Sequence, residues 1–234
     1  SGAGVDHILR APDLPPHLPV CRVVEAGPAL RMARFAAHAA LRVVGGHEEY
    51  AAFQRAGTWR RLPPRPAADS RVTLLGLGAM GRAAAAALIA LGLPVTGWSR
   101  SPHALPGVTC LHGPEALPAA LAAADVLVVL LPMTPETAGL LDARRLALLP
   151  RGAAVVAAGR GGQVVESDLL AALDSGHLSA AHLDVFATEP LPADSPLWRH
   201  PRVTLTPHIA SPPDAAATAR CVAAALAALD RSET

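Results

Sequence analysis

The chain has 234 residues and a formal net charge of +1, from 20 Lys plus Arg against 19 Asp plus Glu. That length holds one sizeable domain or two small ones, and the near-balance of charge gives no electrostatic reason to expect nucleic acid or an anionic membrane as partner. Hydrophobic residues reach 51% but aromatics only 3%, so the core is expected to be built from Ala, Val and Leu.

Every one of the 20 strongly basic residues is arginine, and neither lysine nor asparagine occurs. Schiff-base chemistry, a lysine-dependent phosphate loop and lysine general acids are therefore excluded. Cys21, Cys110 and Cys221 are widely spaced with no CxxC pair, which suits reduced thiols, a cytoplasmic setting and no metal. The opening residues Ser1–Asp6 show neither a basic nor an apolar signal region, and no apolar run has membrane-spanning length.

In chain order, residues 1–24 read as a short loop, a Pro-rich stretch and a strand, Val20–Val24. Residues 28–56 carry a helical pattern in which Met32, Phe35, Ala36, Ala39, Ala40 and Val43 share one face, interrupted at Gly45-Gly46. Arg60–Pro66 is a linker by composition. From Arg71 onward apolar strands alternate with helices. Strands are expected at Val72–Leu75, Pro94–Trp98, Val126–Leu131, Ala153–Ala157, Ala180–Val185 and Val203–Thr206. Helices are expected at Arg82–Leu91, Pro114–Ala124, Ala143–Leu149, Glu166–Ser175 and Pro213–Leu229. This alternation predicts an α/β fold with a doubly wound parallel sheet, a Rossmann-type dinucleotide-binding domain.

Gly76-Leu77-Gly78-Ala79-Met80-Gly81 fits G-x-G-x-x-G, and it follows a strand and opens a helix. Such glycines let the backbone turn tightly and approach a pyrophosphate, which the helix N-terminus attracts. An acid about 20 residues on would bind a ribose 2′-hydroxyl. Here Trp98-Ser99-Arg100 stands in that place. Arg100 would pair with a 2′-phosphate and Ser99 would donate a hydrogen bond to it, which predicts NADP(H) in preference to NAD(H).

Three polar residues stand where apolar stretches end: Arg160 in Gly-Arg-Gly, Glu189 in Thr-Glu-Pro and His208 in Pro-His-Ile-Ala. Guanidinium, carboxylate and imidazole suit the reduction of a small 2-keto acid. Arginine grips a carboxylate through two parallel hydrogen bonds, and a histidine beside a carboxylate can protonate a forming alkoxide.

With these motifs in this order the chain resembles the D-isomer-specific 2-hydroxyacid dehydrogenase family, and within it the reductases of glyoxylate and hydroxypyruvate. The likeness runs through Gly2–His7, Gly76–Gly81, Leu131–Pro135, Ala158–Gly161, Leu183–Phe186, Glu189–Pro192, Ser195–His200 and Thr206–Ala210. The resemblance implies that Arg160 holds the substrate carboxylate and keto oxygen, that His208 is the acid, and that Glu189 hydrogen-bonds His208 and keeps it charged. It implies that Asp184 holds the nicotinamide carboxamide, that backbone amides of Gly4 and Val5 bind the substrate carboxylate, and that Leu131 and Pro132 line the cofactor. By the same resemblance, Ala158, Gly159 and Ala210 are expected to complete the cofactor surface.

The resemblance further implies a homodimer built on the 28–56 helix. It divides the chain into a remnant of a truncated, flavodoxin-like substrate domain (1–27), a dinucleotide-binding domain (28–207) and a C-terminal helix returning to the substrate domain (208–234). The sequence departs from the family at Ala158, where asparagine is usual, at Arg34, where glutamate is common, and at Gly45-Gly46, in place of a His-Arg-like pair.

Two other readings share the motifs. One is a cofactor-binding relative with little or no activity, and the other a dinucleotide-sensing co-repressor of the same family. The 3-hydroxyacid dehydrogenases share the glycine turn but depend on a lysine that this chain lacks. Formate dehydrogenase is related in fold but uses glutamine where Glu189 stands.

Overall fold

Seven parallel strands form one sheet in the order β3-β2-β1-β4-β5-β6-β7. They are β1 (Val72–Leu75), β2 (Val95–Ser99), β3 (Val108–His112), β4 (Val126–Val129), β5 (Ala153–Ala157), β6 (Leu178–Leu183) and β7 (Val203–Leu205). The helices are α1 (Ala26–Val44), α2 (His47–Arg55), α3 (Ala79–Ala90), α4 (Leu117–Ala122), α5 (Ala143–Leu146), α6 (Glu166–Asp174) and α7 (Ala215–Ser232). The computed structural model describes residues 13–15, 26–64, 66, 70–212 and 214–232. The expected Val20–Val24 strand, the Gly4-Val5 loop and the rest of the expected substrate-domain remnant, Asp13–Pro15 and the first two residues of α1 apart, lie outside the residues it describes.

The doubly wound parallel sheet is as the sequence predicts. Strand order reverses at β1, which pairs with β2 on one side (Leu75↔Trp98) and β4 on the other (Leu75↔Val129). In such sheets the crevice beyond the strand C-termini at the reversal is where ligands bind.

The five central strands are buried on both faces and so read as apolar runs. On one face Leu75, Leu127, Val129, Val155 and Leu183 pack against Leu117 and Leu121 of α4, Leu146 of α5, and Leu169 and Leu173 of α6. On the other, Val72, Leu74, Val126, Val128 and Val156 meet Ala36, Ala39, Ala40 and Val43 of α1 and Ala84, Ala85 and Leu88 of α3. Alanine on both facing helices lets them approach closely, which is how a chain with only 3% aromatics can still pack a dense core.

Several boundaries differ from the sequence reading. β3 lies on the sheet edge, where Val-Thr-Cys-Leu-His gives no continuous apolar run and its burial is only partial. α3 begins at Ala79 rather than Arg82, because Gly81 sits inside its first turn. The 28–56 pattern, by contrast, is interrupted at Gly45-Gly46 as expected, giving two helices with Gly46 at φ 65 between them. None of the side chains of α2 is buried.

Candidate active site

Loops after six parallel strands gather on one edge. The glycine turn after β1 is the tightest. Gly76 has φ 107, and a Cβ there would lie 2.8 Å from the Leu130 carbonyl, so the loops after β1 and β4 touch at the reversal point. A Cβ on Gly81 would fall 1.9 Å from the Gly76 carbonyl, whereas one on Gly78 meets nothing within 4 Å. Two of the three glycines are thus required by the fold. The third leaves the α3 N-terminus open, with the exposed Ala79 beside it. That open, glycine-lined cradle fits a pyrophosphate.

Beyond β2, Trp98 Nε1 donates to the Gly113 carbonyl (2.8 Å) and Ser99 Oγ to the Ser101 carbonyl (2.7 Å). The Ser99 side chain is buried and committed to its own loop, while Arg100 is exposed. Met80, Ala158 and Ala210, all expected at the cofactor, come together with Met32 of α1 in a small apolar cluster. The Ala158 that replaces the usual asparagine is packed there.

Gln163 is a residue the sequence reading overlooked. It is fully buried, and its Nε2 donates to the Leu131 (2.8 Å) and Pro132 (2.9 Å) carbonyls. Its Oε1 accepts from the Arg160 amide (3.1 Å). One side chain thereby locks the loop bearing Arg160 onto the loop after β4. The signal was a glutamine between Gly161-Gly162 and Val164, with no charge to attract notice. Arg160 is half-buried, and its Nη1 donates to the Gly159 carbonyl (2.7 Å).

Asp184 organises the His208 loop. It is 1% exposed, and Oδ1 accepts from Thr206 Oγ1 (2.7 Å) and the Ile209 amide (2.8 Å), while Oδ2 accepts from the Ala210 amide (2.8 Å). The carboxylate expected to face nicotinamide therefore already accepts three bonds from the segment carrying His208. That segment bends at His208 itself, with φ 56, a conformation few side chains adopt.

There His208 Nδ1 lies 2.7 Å from Glu189 Oε2, and Glu189 Oε1 accepts from the Phe186 amide (3.0 Å). The bond to Glu189 assigns Nδ1 the proton and leaves Nε2 as the outward nitrogen. Arg160 does not line the cavity next to His208. Its loop instead packs on the Phe186 backbone, where a Cβ on Gly161 would sit 1.8 Å from the Phe186 carbonyl. Of Arg160, Glu189 and His208, two are thus in direct contact and one stands in the adjoining loop. Beside the pair opens a cavity of about 600 Å³ lined by Phe186, Leu191, Trp198, Leu205 and Pro207. Among the described residues no group of His, Cys, Asp and Glu is arranged to hold a metal.

A dinucleotide cradle and a carboxylate-oriented imidazole on one sheet edge define an NAD(P)-dependent oxidoreductase. Residues 37–210 match the family described as D-isomer specific 2-hydroxyacid dehydrogenase, NAD binding domain, and the chain belongs to that family. It is 42% identical to the glyoxylate/hydroxypyruvate reductase A of Serratia proteamaculans, covering 100% of this chain and 76% of that one. A D-isomer specific 2-hydroxyacid dehydrogenase of Xanthobacter autotrophicus, solved with NADPH and MES, superposes with a TM-score of 0.95 at 45% identity, covering 98% and 95% of the two chains. An NADPH-dependent glyoxylate/hydroxypyruvate reductase of Sinorhizobium meliloti, solved with NADP and sulfate, gives 0.88 at 40% identity, covering 94% and 70%.

Proposed function

We propose that this protein reduces a small 2-keto acid, such as glyoxylate or hydroxypyruvate, to the D-2-hydroxy acid with NADPH. The observation that carries this reading is the 2.7 Å His208–Glu189 pair, set on the same strand edge as the open glycine cradle. The NADPH and NADP held by the Xanthobacter and Sinorhizobium proteins support the choice of cofactor, as does Arg100 where an NAD-preferring site carries an acid.

Gly76, Gly78, Ala79, Met80 and Gly81 would hold the pyrophosphate end. Leu131, Pro132, Ala158, Gly159 and Ala210 would line the rest of the bound dinucleotide. The nicotinamide, when bound, supplies the hydride. His208 presents Nε2 to the substrate and gives its proton to the forming alkoxide, while Glu189 fixes the ring and compensates its positive charge. Arg160 holds the substrate carboxylate and keto oxygen, in a loop kept rigid by Gln163. Asp184 is a positioning residue that holds the His208 turn.

A second copy of the chain is proposed to cover α2 and the segment after it. That helix buries none of its own side chains, and Trp59 just beyond it is 97% exposed.

The test is NADPH oxidation in the presence of glyoxylate and of hydroxypyruvate, with His208→Ala alongside. General acid catalysis is worth about 100- to 10,000-fold, so the variant should lose at least about 100-fold in kcat while NADPH still binds. Undiminished turnover in the variant would remove the proposed mechanism.

A further inference from the structure

The first turns of α1 carry a cation that the reductase reading leaves unused. Arg31 folds its guanidinium back over Gly27, where a Cβ would lie 3.3 Å from Nη1 and 3.4 Å from Nη2. Its Nε and Nη2 are sealed from water, and among the described residues neither has a hydrogen-bond partner. Burying donors unmet is costly, and burying a charge unpaired is costlier. The first turn of α1 holds no acid. The positive end of the helix adds to the charge of Arg31, as does Arg34 one turn further on.

This cation stands at the His208 turn. The next residue, Met32, packs with Ala158, Ala210 and Met80. One turn before Arg31, the Pro28 carbonyl accepts from Ser211 Oγ (2.7 Å), three residues beyond His208. The carboxylates of this region are committed elsewhere, Asp184 to Thr206, Ile209 and Ala210, and Glu189 to His208 and Phe186. The two unmet atoms also say which anion fits. Nε and Nη2 form one edge of the guanidinium, and this chain grips carboxylates by that edge twice. Arg42 takes Glu48 through Nε (3.0 Å) and Nη2 (2.7 Å), and Arg71 takes Asp125 through Nε (2.9 Å) and Nη2 (3.0 Å). Arg31 offers the same pair of donors to a carboxylate that arrives from outside the fold.

We propose that Arg31 receives the second carboxylate of a 2-keto dicarboxylic acid, so that the site favours dianionic 2-keto acids over monoanionic ones of equal length. The proposal rests on the reductase reading above and names the substrate class of that same site. Arg160 holds the carboxylate beside the keto group and Arg31 the far one. The chemistry keeps its balance: the hydride adds to the keto carbon, the His208 proton goes to the keto oxygen, and the far carboxylate leaves as it entered.

The experiment compares kcat/KM with NADPH for oxaloacetate against 2-oxobutyrate, and for 2-oxoglutarate against 2-oxopentanoate. In at least one pair the dianion should be favoured by about tenfold or more, the worth of a charge-assisted contact. Arg31→Met should bring that ratio close to one, and Arg31→Lys should keep part of it. A second readout needs no turnover. In the protein loaded with NADP+, the D-2-hydroxy product of the favoured dianion should raise Tm more than its monoanionic counterpart does, and Arg31→Met should remove the difference. Without ligand, Arg31→Met should melt no lower than the unaltered protein, because it removes a buried cation that has no partner. Equal rates within both pairs, or a ratio untouched by Arg31→Met, overturns the assignment. So does a lower Tm of the ligand-free variant, the mark of a partner inside the fold. An equal loss for both members of a pair together with weaker NADPH binding also overturns it, since the anion is then a cofactor phosphate. In each of these cases reduction of glyoxylate by the unaltered protein leaves the reductase reading standing, whereas reduction of no 2-keto acid overturns both.

Discussion

The two ends of the site are built from opposite materials. The proposed phosphate end, after β1, is made of backbone: glycines at 76, 78 and 81 and the start of α3. The chemical end, after β5 to β7, is made of side chains that hydrogen-bond to backbone: Gln163 to the Arg160 loop, Asp184 to the His208 loop and Glu189 to Phe186. A backbone-made end fails when an atom is added at Gly76 or Gly81. A side-chain-made end fails when an acceptor is removed.

That contrast can be broken at several points. The largest effect is expected from Gly81→Val, since even its Cβ would overlap the Gly76 carbonyl at 1.9 Å. Helix α3 and the turn must part, and dinucleotide affinity measured by titration should fall by about 100-fold or more. A variant that binds normally would show that the turn is not the cradle.

Asp184→Ala comes next. It leaves the Thr206 hydroxyl and the Ile209 and Ala210 amides without their acceptor. At about 1–3 kcal/mol for each orphaned group, part of it recovered by water, a loss of roughly 3–5 kcal/mol is expected. Calorimetry should show Tm lowered by about 10 °C, with kcat falling more than cofactor affinity.

The smallest effect tests the face away from the site. His182 is 4% exposed, with Nε2 3.4 Å from Glu48 Oε1 but making no hydrogen bond. Arg42 grips the same carboxylate (2.7 Å). Burial pushes the imidazole down from 6.5 to about 4, against the weaker pull of Glu48. The unfolded chain therefore binds the extra proton first. Stability tied to His182 is complete above about pH 6.5 and drains away as pH falls toward about 4, by roughly 2–3 kcal/mol. Urea unfolding between those limits should show a shallower loss in His182→Leu than in the unaltered protein. Parallel curves would disprove the assignment.

The elements that the sequence displays best are those whose burial is complete. β1 and β5 run from Val72 to Leu75 and from Ala153 to Ala157, as the apolar runs predict. β3 escaped because an edge strand need not be apolar on both faces. At the site, the glycine turn was legible from its motif and context, and the His208–Glu189 contact from what the family resemblance implies. Gln163 and the triple use of Asp184 were not. Their partners are main-chain groups, and a sequence does not show which carbonyls and amides will lack a neighbour.

Asp184 has a consequence for time as well as for shape. β7 is three residues long and, among the described residues, stands at the edge of the sheet, so no further described strand shelters the chain that follows it. Ile209 is among the exposed large hydrophobic residues, yet its amide and that of Ala210 end on a carboxylate buried beneath them. These two protons should exchange with solvent at the slow rate of the β6 strand and not at the rate of a surface turn. The turn that carries the imidazole is then a surface segment with the residence time of the core, ready in its working shape before any substrate arrives.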